Sequence, residues 1–587
     1  MRSIKNIILS GVAAISAFAM LTGCNVTDRA PESSITDVSY WTKVEDLQLY
    51  LRNFYSTFNS YVPITDYQDT HTDVTVRNSR SDVLFDTRSV PTGSDGWGSG
   101  DWSNIRALNY FFTHYQNVTG TQEEIEHYVG LACFFRAKEY YEKVKRFGDV
   151  PWFEKDLQTD DEDLLYMERT PRKTVVENII KDLDYACQHL KGPESVQAGE
   201  INKYVAYTLL SRVALFEATW MKYRNISGWE TFMQKAADAA KAVMSSGNYG
   251  IVKELSGYEI DADHPLYYRN QFVSFDLTGN KECILPMIFI ENVRMNGISR
   301  YNSYGISKDF IEQFLCTDGQ PIAVSPLYKG DKNVFDEFEN RDPRLYNMMD
   351  CQYSPWTQDA AGKNVANGRV IPGTGEKVIR TGYRSIKFKN PEPGQFTYMA
   401  CWTDFNIFRY AEVLLNYAEA MAEMGKCDQN VLNQTVNLLR DRVDMPHMTT
   451  SPAGDPLALV NGKPRYGYEI SNLLYEIRRE RTIELAFEGL RWDDICRWKA
   501  GVLIENPKTW LGINVNDAVI KDYTDFNDGA NPFKDTPLFT MNDWDGTKDL
   551  LNYYGVTERK WNDRNYLDPI PLEQITLNPK LTQNPGW

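Results

Sequence analysis

Five long amphipathic segments constrain the fold of this chain more than any other feature of its sequence. In residues 407–424, apolar side chains recur at the 3.6-residue spacing of a helix that buries one face. The same spacing is found in residues 122–147, 174–190, 204–222 and 470–498. Shorter stripes follow after short connections at 229–245 and 429–443, and such pairs are typical of helical hairpins of the tetratricopeptide type. We therefore predict an all-α scaffold of helical hairpins with a few short strands.

The helical scaffold is expected mainly in residues 121–246 and 405–498, and the remaining segments are long and irregular. The segments 60–120, 250–400 and 500–587 are rich in Gly, Pro, Asn, Asp and aromatic side chains. Because loops of such length inside a compact protein usually carry function, ligand-binding loops are predicted mainly in 60–120 and 250–400. A separate β-sandwich module in 250–400 would need regularly alternating strands, which that segment lacks. Its most apolar run, 283–290, predicts a buried strand or loop.

The N-terminus carries the pattern of a bacterial lipoprotein signal peptide. Arg2 and Lys5 precede an apolar stretch, 7–21, that is too short for a mature membrane anchor. The stretch ends in LTGC, which resembles the lipobox whose cysteine, here Cys24, is lipidated and becomes the mature N-terminus. We predict a signal peptide over 1–23 and a mature chain over 24–587 that is tethered by lipid. The alternative is an ordinary signal peptide followed by an incidental cysteine.

Composition and missing motifs exclude several classes of function. The chain has 63 Lys and Arg against 80 Asp and Glu, a formal net charge of −17, and no basic stripe, so nucleic acid is excluded as a partner. No nucleophile elbow, zinc-protease motif, Walker loop or dinucleotide-binding glycine motif is present, and no cofactor is expected. Glycosidase carboxylates need not be close in sequence, so a surface glycoside hydrolase stays as an alternative.

The last of the helical segments is unusual because charged residues continue its apolar stripe. The stripe begins at Ile470 and continues as Arg481, Glu484 and Glu488, so the helix is expected to be buried on several sides with its charges paired internally. The spacing of Glu480 and Glu484 suggests acid–base catalysis. Flanking arginines, however, lower carboxylate pKa values, which is the wrong direction for a general acid. We therefore interpret these charges as structural ion pairs.

Short motifs spread along the chain match a known pattern. Residues 476–498 read EIRRERTIELAFEGLRWDDICRW, and residues 408–420 read FRYAEVLLNYAEA. Further motifs are FFRAKEYY at 134–141, RFGDVP at 146–151, DPIP at 568–571 and NPKLTQNPGW at 578–587. In this order, and together with the lipobox, they resemble the SusD/RagB family of Bacteroidetes outer-membrane lipoproteins. One departure is GEINK at 199–203, where many relatives carry GRATK, and it changes only the loop before a helix.

This resemblance implies a scaffold of four tetratricopeptide-like hairpins with an inserted, irregular ligand-binding region. It also implies a lipid-anchored protein of the outer membrane that faces the cell exterior. Such a protein captures oligosaccharides and delivers them to a SusC-like TonB-dependent transporter, without catalytic turnover. A peptide ligand, as in RagB-like importer components, is the alternative, and a purely structural lipoprotein is a third class. The matching motifs belong to the scaffold and do not identify the ligand.

The candidate ligand-binding residues are aromatic and polar side chains in the predicted loops. A sugar offers apolar C–H faces and hydroxyl groups, so its binder needs exposed rings with Asp, Asn or Arg beside them. Trp97 lies in SDGWGSGDWSN, residues 94–104, where flanking glycines leave the ring unshielded, and we predict that it is an exposed platform. The other candidates are Tyr301, Tyr304, Trp356, Arg384 and Tyr398, for which packing inside the fold is an equally good interpretation. The surplus of rings in loops favours a glycan over a peptide, whose groove depends on main-chain hydrogen bonds.

A cluster of oxygen and nitrogen donors in residues 66–73 contributes one more candidate. Asp66, Asp69, His71 and Asp73 lie close enough in sequence for an oxygen-rich divalent cation site. We interpret the cluster instead as a solvated loop or as acceptors for sugar hydroxyls, with Asp73 as the candidate contact. No metal site is predicted.

Overall fold

The computed structural model describes residues 40–58, 69–77, 79–259, 262–299, 304–354, 380–397 and 399–587. Its longer helices are α1 Val44–Arg52, α2 Ser103–His114, α3 Gln122–Phe147, α4 Arg172–His189, α5 Lys203–Lys222, α6 Trp229–Met244, α7 Tyr410–Glu423, α8 Asn472–Glu484 and α9 Asp517–Phe526. Shorter helices span Glu162–Leu165, Tyr267–Asn270, Lys308–Glu312, Val334–Phe338, Arg344–Met348, Gln429–Asn433, Val436–Arg442, Arg491–Arg497 and Leu572–Leu577. The strands are β1 Thr75–Val76, β2 Cys283–Met287, β3 Gly305–Ile306, β4 Phe405–Arg409, β5 Leu459–Val460, β6 Lys463–Pro464, β7 Leu538–Asp543 and β8 Gly546–Leu551.

The long helices pack in chain order, as a series of helical hairpins requires. Helix α3 packs against α4, α4 against α5, α5 against α6, and α6 against α7, which in turn contacts α8. Their apolar faces share one core, in which Phe134, Ile179 and Leu414 are fully buried. The strands pair only two by two, as β1–β3, β2–β4, β5–β6 and β7–β8. The prediction of an all-α scaffold with a few short strands is confirmed.

Helix α3 begins and ends where its sequence directs. At its start, the backbone N–H of Glu124 donates to the hydroxyl of Thr121 at 3.3 Å, and the backbone N–H of Thr121 donates to the carboxylate of Glu124 at 3.2 Å. At its end, Gly148 has a φ of 75°, a conformation that costs little without a side chain. The predicted bounds, 122–147, are confirmed.

Strand β4 replaces the first turn of the predicted helix 407–424. It pairs antiparallel with β2, and the helix begins only at Tyr410. The backbone of Arg409 is extended, with a φ of −135°. Its guanidinium contacts Glu484 at 2.7 Å and Glu488 at 2.6 Å. Of the predicted buried strand or loop in 283–290, residues Cys283–Met287 form the strand β2.

The predicted helix 470–498 is two helices, α8 and Arg491–Arg497. Between them, Phe487 and Gly489 have φ values of 66° and 83°, which a continuous right-handed helix does not contain. The ammonium of Lys387 donates to the carbonyl of Ala486 at 2.9 Å and so satisfies backbone that the break leaves unpaired. The predicted helix 429–443 is likewise two short helices, Gln429–Asn433 and Val436–Arg442.

A buried ion cluster surrounds the C-terminal end of α8. The carboxylate of Glu484 accepts hydrogen bonds from Arg442 at 2.6 Å, Arg409 at 2.7 Å and Arg344 at 3.1 Å. Burial alone would raise the pKa of Glu484, but the three guanidinium groups hold it well below its usual range. The neighbouring Glu480 pairs with Arg344 in the same way. The interpretation of these charges as structural ion pairs is confirmed.

Within the described ranges, no helix combines the length and the apolar character needed to cross a lipid bilayer.

Candidate ligand-binding site

The structure brings together three of the loop segments that carry predicted site residues. Strand β1, which follows Asp73, pairs with β3, which follows Tyr304. The backbone N–H of Ile306 in β3 donates to the carbonyl of Tyr383 at 3.1 Å, so the segment that carries Arg384 joins the same ladder. These three segments therefore lie side by side, although the side chains of the candidate residues turn inward.

Asp73, Tyr304 and Arg384 are buried. The expectation that Asp73 contacts a ligand is wrong, and for Tyr304 and Arg384 the structure has the alternative interpretation, packing inside the fold. Asp73 is fully buried, and both of its carboxylate oxygens accept hydrogen bonds from Arg491, at 2.8 and 2.6 Å. Arg384 is paired with the buried carboxylate of Asp350, and Tyr304 lies in the hydrophobic core. The physical reason is that a buried charge needs an opposite charge beside it, and these loop residues supply that partner inside the protein.

Four of the predicted positions lie outside the described residues. They are Cys24, Tyr301, Trp356 and Tyr398. Lipidation of Cys24 and ligand contact by the three rings stay predictions.

Asp69 and Asp73 are buried and both accept hydrogen bonds from Arg491, so the interpretation of this segment as a solvated loop is wrong. The backbone N–H of Arg491 donates to Asp69 at 3.2 Å, and burial raises the pKa of Asp69 to about 7. The ring of His71 lies 2.7 Å from the hydroxyl of Ser81 and 3.1 Å from the guanidinium of Arg77, and burial lowers its pKa to about 4. Asp66 is outside the described residues. No three potential metal ligands converge anywhere in the part of the chain that the structure describes.

Trp97 is buried rather than exposed, which corrects the main prediction from the sequence. Only 5% of its surface is accessible, because its ring packs edge to face against Phe147 at 4.9 Å and Trp102 at 5.5 Å. The flanking glycines permit this inward turn instead of exposing the ring. At Gly96, which has a φ of 83°, an added Cβ would lie 2.2 Å from the guanidinium of Arg146.

An open cleft of about 680 Å³ lies against the edge of Trp97. Its walls are the first two turns of α2, the connection between α3 and α4, and the C-terminal helix Leu572–Leu577 with the residues that follow it. Four aromatic rings line it: Trp97, Trp102, Phe153 and Tyr166. The ring of Tyr166 is the most accessible of them, with 48% of the residue exposed, and Trp102 is half-buried.

Polar groups of several kinds lie among these rings. They are Ser99, Ser103, Arg106, Asn109, Lys155, Gln574 and Asn578. The amide of Asn109 is fixed by donating to the carbonyl of Phe153 at 2.8 Å, and that of Asn578 donates to the carbonyl of Met167 at 3.0 Å. The two cations are neutralised locally, Arg106 by Asp156 at 3.1 Å and Lys155 by Asp161 at 2.5 Å. The described residues that line the cleft include no Asp, Glu or His.

A second cavity, of about 470 Å³, is also lined by aromatic rings, among them Phe408 and Trp492, but it differs from the cleft in its many charged groups. Its lining carries charged side chains that pair with one another, such as Lys145 with Asp493 at 3.0 Å and Arg212 with Glu412 at 2.6 Å. Such internally paired charges suit a polar interior better than the C–H faces of a ligand. We therefore take the aromatic cleft as the candidate ligand-binding site.

Sequence reasoning missed most of this cleft. Trp102 is not among the candidates that the sequence offers, and neither Phe153 nor Tyr166 falls in the predicted loop regions. The available signal was the connection between α3 and α4, residues 148–171, which is longer than a structural turn needs and contains aromatic residues. The sequence also pointed to the C-terminal wall, because the motif at 578–587 begins at Asn578, which lines the cleft.

The fold and the cleft define a helical-hairpin scaffold with an open cleft lined by aromatic rings. The chain belongs to the SusD family. Residues 284–587 match the family described as "SusD family", and residues 28–215 match the one described as "Starch-binding associating with outer membrane". At the level of the family, these are carbohydrate-binding proteins associated with the outer membrane.

Relatives with solved structures share the fold over nearly the whole chain. A SusD-like protein from Bacteroides fragilis is 25% identical, with a TM-score of 0.68 over 95% of this chain and 100% of that chain. A SusD-like carbohydrate binding protein from the same species is 21% identical, with a TM-score of 0.67 over 93% of this chain and 100% of that chain. The SusD-like protein P2 of Formosa agariphila is 23% identical over 512 residues, which are 83% of this chain and 90% of that protein.

Proposed function

We propose that this protein captures oligosaccharides at the cell surface and holds them in the aromatic cleft. The observation that carries the proposal is the combination of four rings with fixed amide, hydroxyl and cationic groups around one open volume. The rings pack against the C–H faces of sugar units, and the side chains of Ser103, Gln574 and Asn578 stand beside them for hydroxyl groups. The carbohydrate-binding family to which the chain belongs supports the same ligand class.

Binding without turnover fits the chemistry of the cleft. Hydrolysis of a glycosidic bond requires two carboxyl groups on either side of the bond, about 5 to 9.5 Å apart. The described lining residues of the cleft contain no carboxylate at all. Substrate bound there would meet no general acid and no nucleophile, so the protein acts as a binding component.

The bound oligosaccharide is delivered to a SusC-like TonB-dependent transporter in the outer membrane. Support comes from the lipobox that ends at Cys24 and from a family description that names association with the outer membrane. In this proposal the lipid on Cys24 holds the protein on the outer face of the membrane. Two measurements test the location. Protease added to intact cells degrades the protein if it faces outward, and Cys24→Ser moves it from the membrane to the soluble fraction. Full protection from protease would contradict capture at the surface.

The binding site itself is tested with matched variants. Wild-type mature chain is first screened against a glycan and a peptide panel, and the retained ligand is measured by calorimetry. Tyr166→Ala removes an exposed ring that the core does not use, and a hot-spot ring contributes about 2 kcal/mol, so affinity should fall by about 30-fold with an unchanged melting temperature.

The control is Tyr207→Ala, which removes a half-buried ring on α5 that does not line the cleft, and which should leave affinity unchanged. Equal affinity in Tyr166→Ala and in wild type would place the ligand elsewhere. Binding of peptides and of no glycan would identify a peptide importer component instead.

A further inference from the structure

The hairpin β7–β8 carries an exposed tryptophan at its tip. The two strands pair over six residues each, from Leu538↔Leu551 to Asp543↔Gly546, with Trp544 and Asp545 in the turn. Such turns ordinarily hold Asn, Asp, Gly or other small polar residues. Among the described tryptophans, Trp544 is the only one that is exposed rather than half-buried or buried, with 37% of its surface accessible. The core does not need a ring at this position, so its presence calls for another explanation.

The ring of Trp544 is held in place from beneath. It lies 5.7 Å from the ring of Tyr328, and the ammonium of Lys548 lies 5.4 Å from its centroid. That ammonium is itself buried and fixed by Asp331 at 2.8 Å and Asp545 at 3.2 Å. A ring supported in this way loses little conformational freedom when a ligand packs on it.

The hairpin is also fixed to the body of the protein. Strand β8 pairs with β7 on one side and with residues 512–515 on the other. The backbone N–H of Leu551 donates to the carbonyl of Ile513 at 2.9 Å, and that of Val515 donates to the carbonyl of Asp549 at 2.8 Å. The base of the hairpin is therefore held against the body of the protein by hydrogen bonds on both sides of β8.

The outer face of the hairpin presents a row of short polar side chains that leads to Trp544. Alternation along the strands turns Phe539 and Met541 towards the core cluster around Trp510, and leaves the other face in solvent. The exposed cross-strand pairs are Thr540 with Asp549 and Asn542 with Thr547. In each pair the threonine hydroxyl donates to its neighbour, which fixes the position of both groups.

We propose that Trp544 and this polar face form a second saccharide-contacting surface, separate from the aromatic cleft. The two sites share no lining residue, since the cleft is built from α2, the α3–α4 connection and the C-terminal helix. An exposed ring beside fixed hydroxyl, amide and carboxylate groups matches the C–H faces and hydroxyls of a sugar chain. The choice of a saccharide, rather than a peptide paired to the edge of β7, rests on the proposed function.

The hairpin surface and the aromatic cleft together give one protein two contacts with the same sugar chain. A polysaccharide long enough to reach both sites is held by both, and the second contact then occurs at a high effective concentration. A short oligosaccharide occupies one site at a time. The hairpin surface therefore increases retention of long chains and leaves the affinity of the cleft for short ones unchanged.

The test uses mature full-length protein labelled with 5-fluorotryptophan, in which the Trp544 signal is assigned by its loss in Trp544→Phe. The wild type is first run through native gels that contain starch, xylan, galactomannan or alginate, and oligosaccharides of the retained glycan are then titrated into the labelled protein. We expect a saturable shift of the Trp544 fluorine signal, also in the Tyr166→Ala background. Trp544→Ala should weaken retention by the polymer about 3- to 10-fold, the contribution of a single ring contact, with an unchanged melting temperature.

The two proposals fail in different ways. A Trp544 signal that stays fixed while the wild type binds the glycan overturns the second surface and leaves the proposed function intact. A signal that moves with peptides and not with glycans also overturns it. If the wild type binds no glycan at all, the proposed function falls as well.

Discussion

Replacing Glu484 by Gln should destabilise the protein strongly, because this carboxylate stands among three buried guanidinium groups. It accepts hydrogen bonds from Arg442, Arg409 and Arg344 at 2.6, 2.7 and 3.1 Å, and its side chain is fully buried. A glutamine keeps the shape but removes the negative charge, so three buried cations lose a counter-charge. Breaking a buried ion pair from one side costs about 3 to 5 kcal/mol.

The expected change in melting temperature follows from the size of the chain. Unfolding entropy is about 2.1 cal/mol/K per residue, which for 587 residues gives about 1.2 kcal/mol/K if the chain unfolds as one unit. A loss of about 4 kcal/mol then lowers the melting temperature by about 3 °C. Differential scanning calorimetry measures this directly. The control is Glu177→Gln, which replaces an exposed carboxylate on α4. Surface substitutions of this kind usually change the free energy of unfolding by about 0.5 kcal/mol or less.

The pH dependence gives this prediction a second readout. The folded-state pKa of Glu484 lies below the ordinary value of 4.5, so the unfolded chain takes up its proton first on acidification. The stability that Glu484 contributes is therefore fully present above its unfolded pKa and is lost as the pH falls towards the folded value. The difference between wild type and Glu484→Gln should be constant from pH 6 to 8 and shrink below about pH 4. A variant that melts within 1 °C of the wild type at pH 7 would refute the reasoning.

The remaining predictions concern Asp69 and Trp97. Burial raises the pKa of Asp69 to about 7, so between about pH 4 and 7 the folded protein keeps a proton that the unfolded chain has released, and stability falls as pH rises. Asp69→Asn removes this loss, and its melting temperature should exceed that of the wild type by up to about 3 °C at pH 8, with no gain at pH 4 in the same calorimetric scans. Trp97→Ala empties a buried, ring-packed position and should cost about 3 to 5 kcal/mol, seen as a drop of about 3 °C in melting temperature. An unchanged melting temperature in Trp97→Ala would mean that the ring is exposed after all.

The sequence predicts an element correctly when the contacts that fix its ends are close to it in the chain. Helix α3 is bounded by Thr121 and Gly148, which adjoin it in sequence, and its limits were predicted correctly. The break after α8 depends on Lys387, about a hundred positions earlier, and periodicity alone predicted one continuous helix. Local pattern therefore predicts an element when its caps are local, and misses an interruption that a distant side chain stabilises.

The candidate site follows the same logic. Asp73 looked like a free acceptor because its partner, Arg491, is 418 positions away. Trp97 looked exposed because its neighbours are glycines, but it is covered by Trp102, just before α2, and by Phe147, the last residue of α3. Long-range packing decides whether the side chain of a loop residue is exposed or buried. The surplus of aromatic residues therefore indicated a class of ligand, but it did not indicate which rings line the cleft.

The most direct test of this account is a crystal structure of the mature protein with the oligosaccharide that the binding screen retains. The account predicts sugar density in the cleft between α2 and the α3–α4 connection, with a pyranose or furanose ring against Tyr166 or Trp102 and a hydroxyl within 3.2 Å of Gln574 or Asn578. Density for the sugar elsewhere, with an empty cleft at saturating ligand, would contradict the central claim that the aromatic cleft is the site of capture.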